Sequence, residues 1–387
     1  MITLIEAKNY RCLHFVSAPL RPFQIMVGPN GSGKSAFMDV LGFIRDFVSF
    51  TIQYAVNERT DNFHDLVYGR EDSSFDLGVE AQMPEDRRVA NQSGFYTHVR
   101  YDLSVRLDAA SDVPAIEGER VSLLDPVHKH ARTIANRERM SYEVLREDDG
   151  QRNAGTLSLF ASVLQTLPSA PHAFPTLKWL VDLLREGIQD VRLRAEDLHR
   201  PSTVEAEKAS RVTGANLARS VFELREKSRD SFEAWIKHVR TALPDLDTVR
   251  TELRQQERSR HLILRYQNGI EVPSRVVSDG TLCLLALTIL AYMPEAGKVY
   301  LIEEPENAVH PTAVDTIYQS LSSVYDGQVL MASHSPILLG LAKKEDLLCF
   351  TRTPEGTQIV PGNEHPLLQE WRGEVSLSDL FAAGVLG

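Results

Sequence analysis

Short, uninterrupted apolar runs near both ends of the chain predict buried strands. The run "FQIMV" (Phe23–Val27) precedes a glycine-rich loop, and apolar residues then recur at helical spacing over Ser35–Phe47. Two further runs, Val299–Ile302 and Gly327–Ser333, are equally apolar. This pattern predicts a strand–loop–helix unit near the N-terminus and two more core strands near the C-terminus, as in an α/β fold.

The middle of the chain alternates differently. Ser74–Met83 and Phe95–Asp108 show the period-two alternation of antiparallel strands. The region Gly155–Pro244 is predicted to be mostly helical, from Ser158–Leu167 ("SLFASVLQTL") onward. Apolar residues at helical spacing support this in its last part, at Leu217, Val221, Leu224, Phe232, Ile236, Val239 and Leu243.

The C-terminal part begins with a predicted hairpin. Asn268-Gly269 is a favoured two-residue turn between the apolar runs of Leu262–Ser278. The 12-residue run Leu282–Met293 is shorter than the roughly 20 residues that span a bilayer, so we expect a buried core helix. We therefore expect residues 1–150 to form an N-terminal lobe, 151–245 a helical insertion and 246–387 a C-terminal lobe. Arg200–Gly214 is the best candidate for a linker.

Composition removes several function classes. The chain has 387 residues, a formal net charge of -11 and three cysteines, which argues against a basic nucleic-acid surface or a disulfide framework. The N-terminus lacks the long apolar segment of a signal peptide. We expect a cytoplasmic protein without a membrane partner. DNA contact would need a local basic patch, such as Arg250, Arg254 and Arg258, which are spaced to share one helix face.

The loop after the first strand carries the clearest chemistry. Gly28–Ser35 fits G-x-x-x-x-G-K-[ST] without a mismatch. Glycines let backbone N–H groups approach a phosphate closely, and the helix that follows directs its positive end toward it. Lys34 would bind the β- and γ-phosphates, and Ser35 would offer its hydroxyl to Mg²⁺. We expect ATP and Mg²⁺ to bind here.

Three later segments carry polar residues that could act on the same phosphates. Glu303 and Glu304 end the Val299 strand, where one carboxylate could hold Mg²⁺ and the next could orient water. His334 ends the following strand. The residues Ser278 to Thr281 (Ser-Asp-Gly-Thr) precede the apolar helix. Each also has a plain interpretation: a surface loop, a structural histidine and a simple helix cap.

Together these segments resemble the ABC type of P-loop ATPase. Gly28–Ser35 matches Walker A, Leu301–Pro305 matches Walker B, and His334 matches the switch histidine. Ser278, Asp279, Gly280 and Thr281 resemble the signature motif. The start of the chain, with Asn9-Tyr10-Arg11, is similar to the heads of SMC and RecF proteins. "LIEEPENAVHP" and "ASHSPILLGL" are similar to ATPases of the OLD (overcoming-lysogenization-defect) type, which are often grouped with the AAA family.

The resemblance implies an ABC-type head with a mixed N-terminal β lobe, a parallel core sheet flanked by helices, and a helical insertion. It implies catalytic roles for Lys34, Glu304 and His334, and Mg²⁺ contacts from Ser35 and Glu303. The remaining nucleotide contacts that it implies are Arg11, Gly28, Asn30, Gly31, Ser32, Gly33, Ala36 and, from a second chain, Ser278, Asp279, Gly280 and Thr281.

The resemblance further implies a homodimer with ATP between its heads, which regulates a nuclease or toxin encoded nearby in anti-phage defence. We expect the segment after His334 to be too short for the nuclease domain of longer OLD proteins. A RecF-like repair ATPase on DNA and a scaffold that uses ATP only as assembly glue remain alternatives. Most ABC ATPases carry Asp at the position of Glu303. The Q-loop glutamine stays open among Gln53, Gln82 and Gln92.

Overall fold

The computed structural model describes residues 1–90, 94–167, 172–203, 211–293, 297–307, 309–369 and 376–382, and all structural statements concern these residues. The strands are Ile2–Tyr10 (β1), Leu13–Pro19 (β2), Phe23–Val27 (β3), Ser74–Gln82 (β4), Val89–Ala90 (β5), Phe95–Tyr96 (β6), His98–Asp108 (β7), Val113–Asp125 (β8), His130–Glu138 (β9), Ser141–Leu145 (β10), Arg152–Thr156 (β11), Ile188–Val191 (β12), Ser202–Thr203 (β13), Arg211–Val212 (β14), Leu246–Arg254 (β15), Ser259–Tyr266 (β16), Glu271–Pro273 (β17), Val299–Glu303 (β18), Gln328–Ala332 (β19), Leu347–Thr353 (β20) and Gly356–Pro361 (β21).

The α-helices are Lys34–Ser49 (α1), Ile52–Asn57 (α2), Pro175–Asp182 (α3), Ala195–His199 (α4), Leu217–Lys227 (α5), Arg229–Val239 (α6), Asp279–Thr288 (α7), Pro311–Ser322 (α8), Pro336–Leu341 (α9), Pro366–Gln369 (α10) and Leu377–Ala382 (α11). Within the described parts of the chain, no helix is both long enough and apolar enough to cross a membrane.

The central sheet has the order β14-β12-β18-β19-β3-β20-β21. Its strands run parallel except for β21, which pairs antiparallel with β20. The carboxyl ends of β3, β18 and β19 therefore meet at one edge of the sheet. Ligands of open α/β sheets bind at this edge, so the loops that follow these three strands are brought together.

Apolar cores cover both faces of this sheet. One core joins alternate residues of its strands, such as Met26 and Leu330, to α1 and to the large antiparallel sheet β11-β10-β9-β8-β7-β4-β1-β2. The other joins the opposite residues, such as Ile25 and Met331, to α5 to α9. Helix α1 is buried along nearly its whole length, so it is clamped between the two sheets. This fixes the position of the loop that precedes it.

A buried glutamine ties the two sheets together at their edge. The side chain of Gln328 in β19 accepts a hydrogen bond from Ile2 N at 2.9 Å and donates to Ile2 O at 2.8 Å and to Arg21 O at 2.9 Å. Its amide thereby satisfies buried backbone groups of the N-terminal strand, which would otherwise cost free energy.

Most predicted elements are confirmed. They include the strand–loop–helix unit of β3 and α1, the strands β4, β7, β18 and β19, and the core helix α7. The predicted hairpin is also present as β16 and β17, with Gly269 at φ 81° in the turn. A mixed α/β fold with a parallel core sheet flanked by helices is confirmed. Part of the proposed linker, residues 204–210, lies outside the described residues.

The prediction of a mostly helical region over Gly155–Pro244 was incomplete. It supplies helices α3 to α6, but β12 pairs in parallel with β18 inside the central sheet. Ser158–Leu167 contains only a short 3-10 helix at Val163–Gln165. There, buried Glu119 accepts hydrogen bonds from Ser162 Oγ and from Val163 N, the latter at 2.8 Å, so long-range partners replace helical ones.

The expectation that three arginines share a helix face was wrong. Arg250 and Arg254 lie in strand β15, and Arg258 lies at φ 48° in the turn that follows. Arg250 pairs with Glu271 on β17 at 2.5 Å, and Arg254 pairs with Glu257 at 3.4 Å. A spacing of four places residues on one face of a strand as well as of a helix, so it does not distinguish the two. Acidic neighbours offset the charge of this patch.

Candidate functional site

The glycine-rich loop adopts a backbone that other residues tolerate poorly. Gly28, Gly31 and Gly33 have φ values of 147°, 76° and 106°. A Cβ on Gly28 would lie 2.2 Å from the carbonyl oxygen of Phe350 on β20. A Cβ on Gly33 would lie 2.6 Å from Thr357 Oγ1 on β21. The loop is therefore pressed against the C-terminal strands, and Gly33 leads directly into α1.

This packing gives a prediction about loop rigidity. Gly28→Ala should lower both the thermal midpoint of unfolding and the affinity for ATP, because the added methyl group meets fixed backbone. Gly31→Ala is a matched control, since Gly31 also has positive φ but no neighbouring atom within 4 Å. It should cost only about 1 kcal/mol of conformational strain. Equal losses of stability in the two variants, measured by calorimetry, would contradict this packing.

Lys34 is the first residue of α1 and its side chain folds back over the loop. Its Nζ donates hydrogen bonds to the carbonyl oxygens of Gly28 at 2.7 Å and Pro29 at 2.9 Å. Burial lowers the pKa of this ammonium, although Glu304 and Glu303 oppose the effect. The hydroxyl of Ser32 is buried and has no hydrogen-bond partner among the described residues. The ammonium and the loop backbone together form a donor set that suits phosphate oxygens.

Ser35 and Glu303 meet across the loop edge. Ser35 Oγ donates a hydrogen bond to Glu303 Oε2 at 3.2 Å, and the Glu303 side chain is exposed. Since β19 lies between β3 and β18, the glutamate extends past one strand to reach the first turn of α1. A hydroxyl next to a carboxylate is a ligand pair that fits Mg²⁺, which prefers few protein oxygens and keeps its waters.

Glu304 is held in a strained backbone conformation. Its φ is 48°, its N–H donates to Ala332 O at 2.8 Å, and its Oε2 accepts from Asn307 Nδ2 at 2.5 Å. A non-glycine residue in the left-handed region costs free energy that neighbouring contacts must offset. These contacts hold the carboxylate in a cleft that Lys34 and His334 also line, where it can orient a water molecule.

His334 is the second residue after β19 and is positioned through its backbone. Its N–H donates to Glu306 Oε1 at 3.1 Å, and the same oxygen accepts from Ser333 Oγ at 2.7 Å. Burial and the charge of Lys34 lower the pKa of the imidazole, although Glu304 and Glu306 act in the opposite direction. The ring is therefore neutral at pH 7, and one of its nitrogens can donate a hydrogen bond.

Arg11 reaches the same cleft from the turn between β1 and β2. Its φ is 55°, its backbone N–H donates to Leu66 O, and its guanidinium lies 3.0 Å from Asp39 Oδ2. Asp39 also accepts from the Tyr10 hydroxyl at 2.7 Å and pairs with Arg59 at 2.7 Å. Burial would raise the pKa of Asp39, but the Arg59 guanidinium and the Tyr10 hydroxyl lower it overall. The carboxylate thus stays charged and anchors Arg11.

A cleft of about 500 Å³ collects most residues predicted from the sequence. Gly28 and Ser32 belong to the glycine-rich loop but do not line the cleft. Gln53 donates to Pro114 O, Gln82 ends β4, and neither lines the cleft. Gln92 lies outside the described residues, so the Q-loop assignment stays open. The predicted residues that line the cleft are Arg11, Asn30, Gly31, Gly33, Lys34, Ser35, Ala36, Glu303, Glu304 and His334.

The Ser278–Thr281 turn does not line this cleft. Asp279 lines a second cavity of about 730 Å³, which shares Arg11, Ser35, Glu303 and Glu304 with the cleft. Ser278 is the N-cap of α7, and its hydroxyl accepts a hydrogen bond from Thr281 N at 3.4 Å. Ser278 and Asp279 are exposed, and Gly280 and Thr281 are half-buried. The turn therefore presents the N-terminus of a ten-residue helix at the protein surface, where a second chain can reach it.

Sequence reasoning missed several residues that support the site. Thr357 on β21 donates to Ser32 O at 2.9 Å and so braces the loop. Glu306 positions His334, and Asp39 with Arg59 anchors Arg11. The glutamate follows the acidic strand end closely and could have been suspected, whereas the contact of Thr357 joins distant parts of the chain and leaves no local pattern.

Comparisons with known proteins show the family and the fold of the chain. The family model described as "AAA domain, putative AbiEii toxin, Type IV TA system" matches residues 23–340. The OLD nuclease of Thermus scotoductus is 24% identical over 383 residues, and the match covers 93% of this chain and 64% of that protein. The chain thus spans less than two thirds of the length of that relative.

Two solved structures have a similar fold. The Smc head bound to the C-winged helix domain of ScpA has a TM-score of 0.54 and 14% identity, covering 93% of this chain and 96% of that one. The Pyrococcus furiosus Smc head with an extended coiled coil, bound to the C-terminal domain of ScpA, has a TM-score of 0.54 and 13% identity, covering 99% and 98%. At these identities the likeness shows the fold alone. The chain belongs to the AAA family whose model spans residues 23–340, is similar to the OLD nuclease over most of its length, and has the fold of an SMC head.

Proposed function

We propose that the chain binds and hydrolyses ATP and that two copies pair head to tail around the nucleotide. In this pairing the Gly28–Ser35 loop of one copy holds the triphosphate, and the Ser278–Thr281 turn of the other closes over it. Two identical sites then follow from twofold symmetry. The observation that carries the proposal is the convergence of Lys34, Glu304 and His334 at one cleft, beside an α7 turn whose Ser278 and Asp279 remain exposed.

The residues of the cleft divide the chemistry among them. Lys34 would balance the charge that develops on the phosphates, and Glu304 would orient the attacking water. His334, neutral at pH 7, would donate a hydrogen bond to a terminal phosphate oxygen. Ser35 and Glu303 would hold Mg²⁺, which supplies positive charge to the phosphate oxygens when bound. Arg11, anchored by Asp39, would contribute a further cation.

The output of the cycle would be a change of assembly. ATP binding would join the two copies and hydrolysis would release them, which lets a partner protein respond to the nucleotide state. The names of the family and of the OLD nuclease support a role in bacterial defence, with a toxin or nuclease encoded nearby as the partner. This assignment of role rests on relatedness and is part of the proposal.

Co-purification of the chain with the product of its neighbouring gene tests the proposal. ATP turnover and particle mass would be measured with ATP, with ADP and with DNA. The proposal expects turnover without DNA and a larger mass with ATP than with ADP. Turnover that requires DNA ends would favour the RecF-like alternative, and ATP binding without turnover would favour the scaffold.

A further inference from the structure

A histidine on α4 is hydrogen-bonded through both ring nitrogens beside the α7 turn. His199 Nε2 lies 2.6 Å from Asp279 Oδ1, and Nδ1 lies 2.8 Å from Ser274 O. When Asp279 is ionised, both partners can only accept hydrogen bonds, so a ring with a proton on each nitrogen satisfies both contacts. Ser274 Oγ also donates to the backbone oxygen of His199 at 3.3 Å. His199 therefore links α4 to the segment that leads into α7.

The position of Asp279 makes this contact significant. A helix N-terminus attracts anions through its free N–H groups and its dipole. Asp279 is the first residue of α7 and its side chain is half exposed, at 51%. Its negative charge opposes the approach of a triphosphate to the same turn. The positive imidazole of His199 offsets that charge while its second hydrogen bond fixes the ring.

We propose that His199 is a positioning residue for ATP-dependent pairing: protonated on both nitrogens, it holds Asp279 and balances its charge so that the α7 turn accepts the nucleotide bound by a second copy of this chain. The inference rests on the proposed function, because it assumes that the turn acts on a neighbouring nucleotide. It adds a residue and a pH dependence to that function.

The surroundings determine how the pairing responds to pH. The hydrogen bonds to Asp279 and to Ser274 raise the pKa of His199 above its usual 6.5. Burial raises the pKa of Cys283 on α7 to about 11, so this thiol stays neutral. The remaining titratable groups on the packed elements are the exposed Arg275 and, on α4 and its C-cap, Glu196, Asp197 and Arg200, which pair with one another.

The sign of the pH effect follows from the raised pKa. The contribution of His199 is complete below pH 6.5 and is lost as the pH rises through the folded-state pKa. A neutral ring can donate to only one of its two acceptors. ATP-dependent pairing should therefore weaken as the pH rises above 6.5 through that pKa.

Association of the Glu304→Gln variant with ATP, measured by sedimentation over roughly pH 6 to 9, tests the inference. In this background, His199→Asn should weaken pairing about fivefold at low pH, because one modest ion pair is lost at each of two sites. It should also remove the pH dependence of pairing. His261→Asn is the matched control, because His261 lies on strand β16 and pairs with Glu257 at 3.0 Å instead of with Asp279. It should leave the profile unchanged.

A second pair of measurements separates charge from structure. In a chain that carries Asp279→Asn, His199→Asn should cost little further pairing, because the charge to be balanced is gone. NMR titration of the unpaired protein should find the His199 pKa lower in Asp279→Asn than in the parent chain, because only the hydrogen bond to Ser274 then raises it.

The outcomes distinguish the two levels of the account. If the Glu304→Gln variant pairs with ATP and the addition of His199→Asn leaves that pairing unchanged at every pH, the inference alone is overturned. A His199 pKa that does not change in Asp279→Asn would also overturn it. Absence of pairing by Glu304→Gln with ATP at any pH would overturn the proposed function and the inference with it.

Discussion

Replacement of Lys34 by alanine should reduce ATP turnover by at least about 10²- to 10³-fold, the cost of removing one preorganised charge from a phosphate site. The ammonium is buried against the glycine-rich loop and donates hydrogen bonds to Gly28 O and Pro29 O. The variant therefore loses the cation that contacts this loop. ATP affinity should fall as well. Both quantities can be measured, by phosphate release and by titration with a fluorescent ATP analogue.

Lys227→Ala is the control for the loss of a lysine. Lys227 pairs with Glu223 at 3.3 Å on the surface of α5 and does not line the cleft. It should retain the turnover and the ATP affinity of the parent chain. Turnover by Lys34→Ala at the rate of Lys227→Ala would show that the Gly28–Ser35 loop is not the site of hydrolysis.

Replacement of Glu304 by glutamine should separate binding from hydrolysis. The amide keeps the size of the side chain and can still contact Asn307, but it cannot accept a proton from water. Turnover should drop by about 10²- to 10³-fold, while ATP binding persists and paired heads accumulate. Mass photometry with ATP, compared with ADP, measures that accumulation.

Glu306→Gln provides the comparison for Glu304→Gln. Glu306 Oε1 accepts hydrogen bonds from Ser333 and from the backbone of His334, so this change perturbs the position of His334 without removing the proposed water-orienting group. It should lower turnover less than Glu304→Gln. An unpaired, fully active Glu304→Gln protein would contradict the role given to Glu304.

The sequence predicted the site better than it predicted the surroundings of the site. Gly28–Ser35, Glu304 and His334 each follow a short apolar strand, and strand ends of one parallel sheet meet at one edge. Local patterns were therefore sufficient to bring them together. The order in which β19 separates β3 from β18 was not visible, because strand pairing depends on packing across the whole chain.

The missed features share a physical cause. Strand β12 is only four residues long and joins the central sheet through contacts with β18, so no period in its own sequence reveals it. Thr357 and His199 act through single side-chain contacts with distant segments. Arg250 and Arg254 were assigned to a helix face because their spacing by four was considered alone, without the strand pattern of the surrounding sequence.

The central claim is that one nucleotide lies between Lys34 of one copy and the Ser278–Thr281 turn of another. Mixing two inactive variants, Lys34→Ala and Ser278→Arg, tests it most directly. Half of the randomly formed dimers would be mixed, and each would contain one site with both parts intact, so turnover should recover to about a quarter of the parental rate.

A mixture of Lys34→Ala and Glu304→Gln is the matched control. Lys34 and Glu304 line the same cleft of one chain, so every site in that mixture keeps a defect and turnover should stay at the level of the separate variants. Recovery in the first mixture and none in the second is the predicted result. The absence of recovery when Lys34→Ala is mixed with Ser278→Arg would contradict the account.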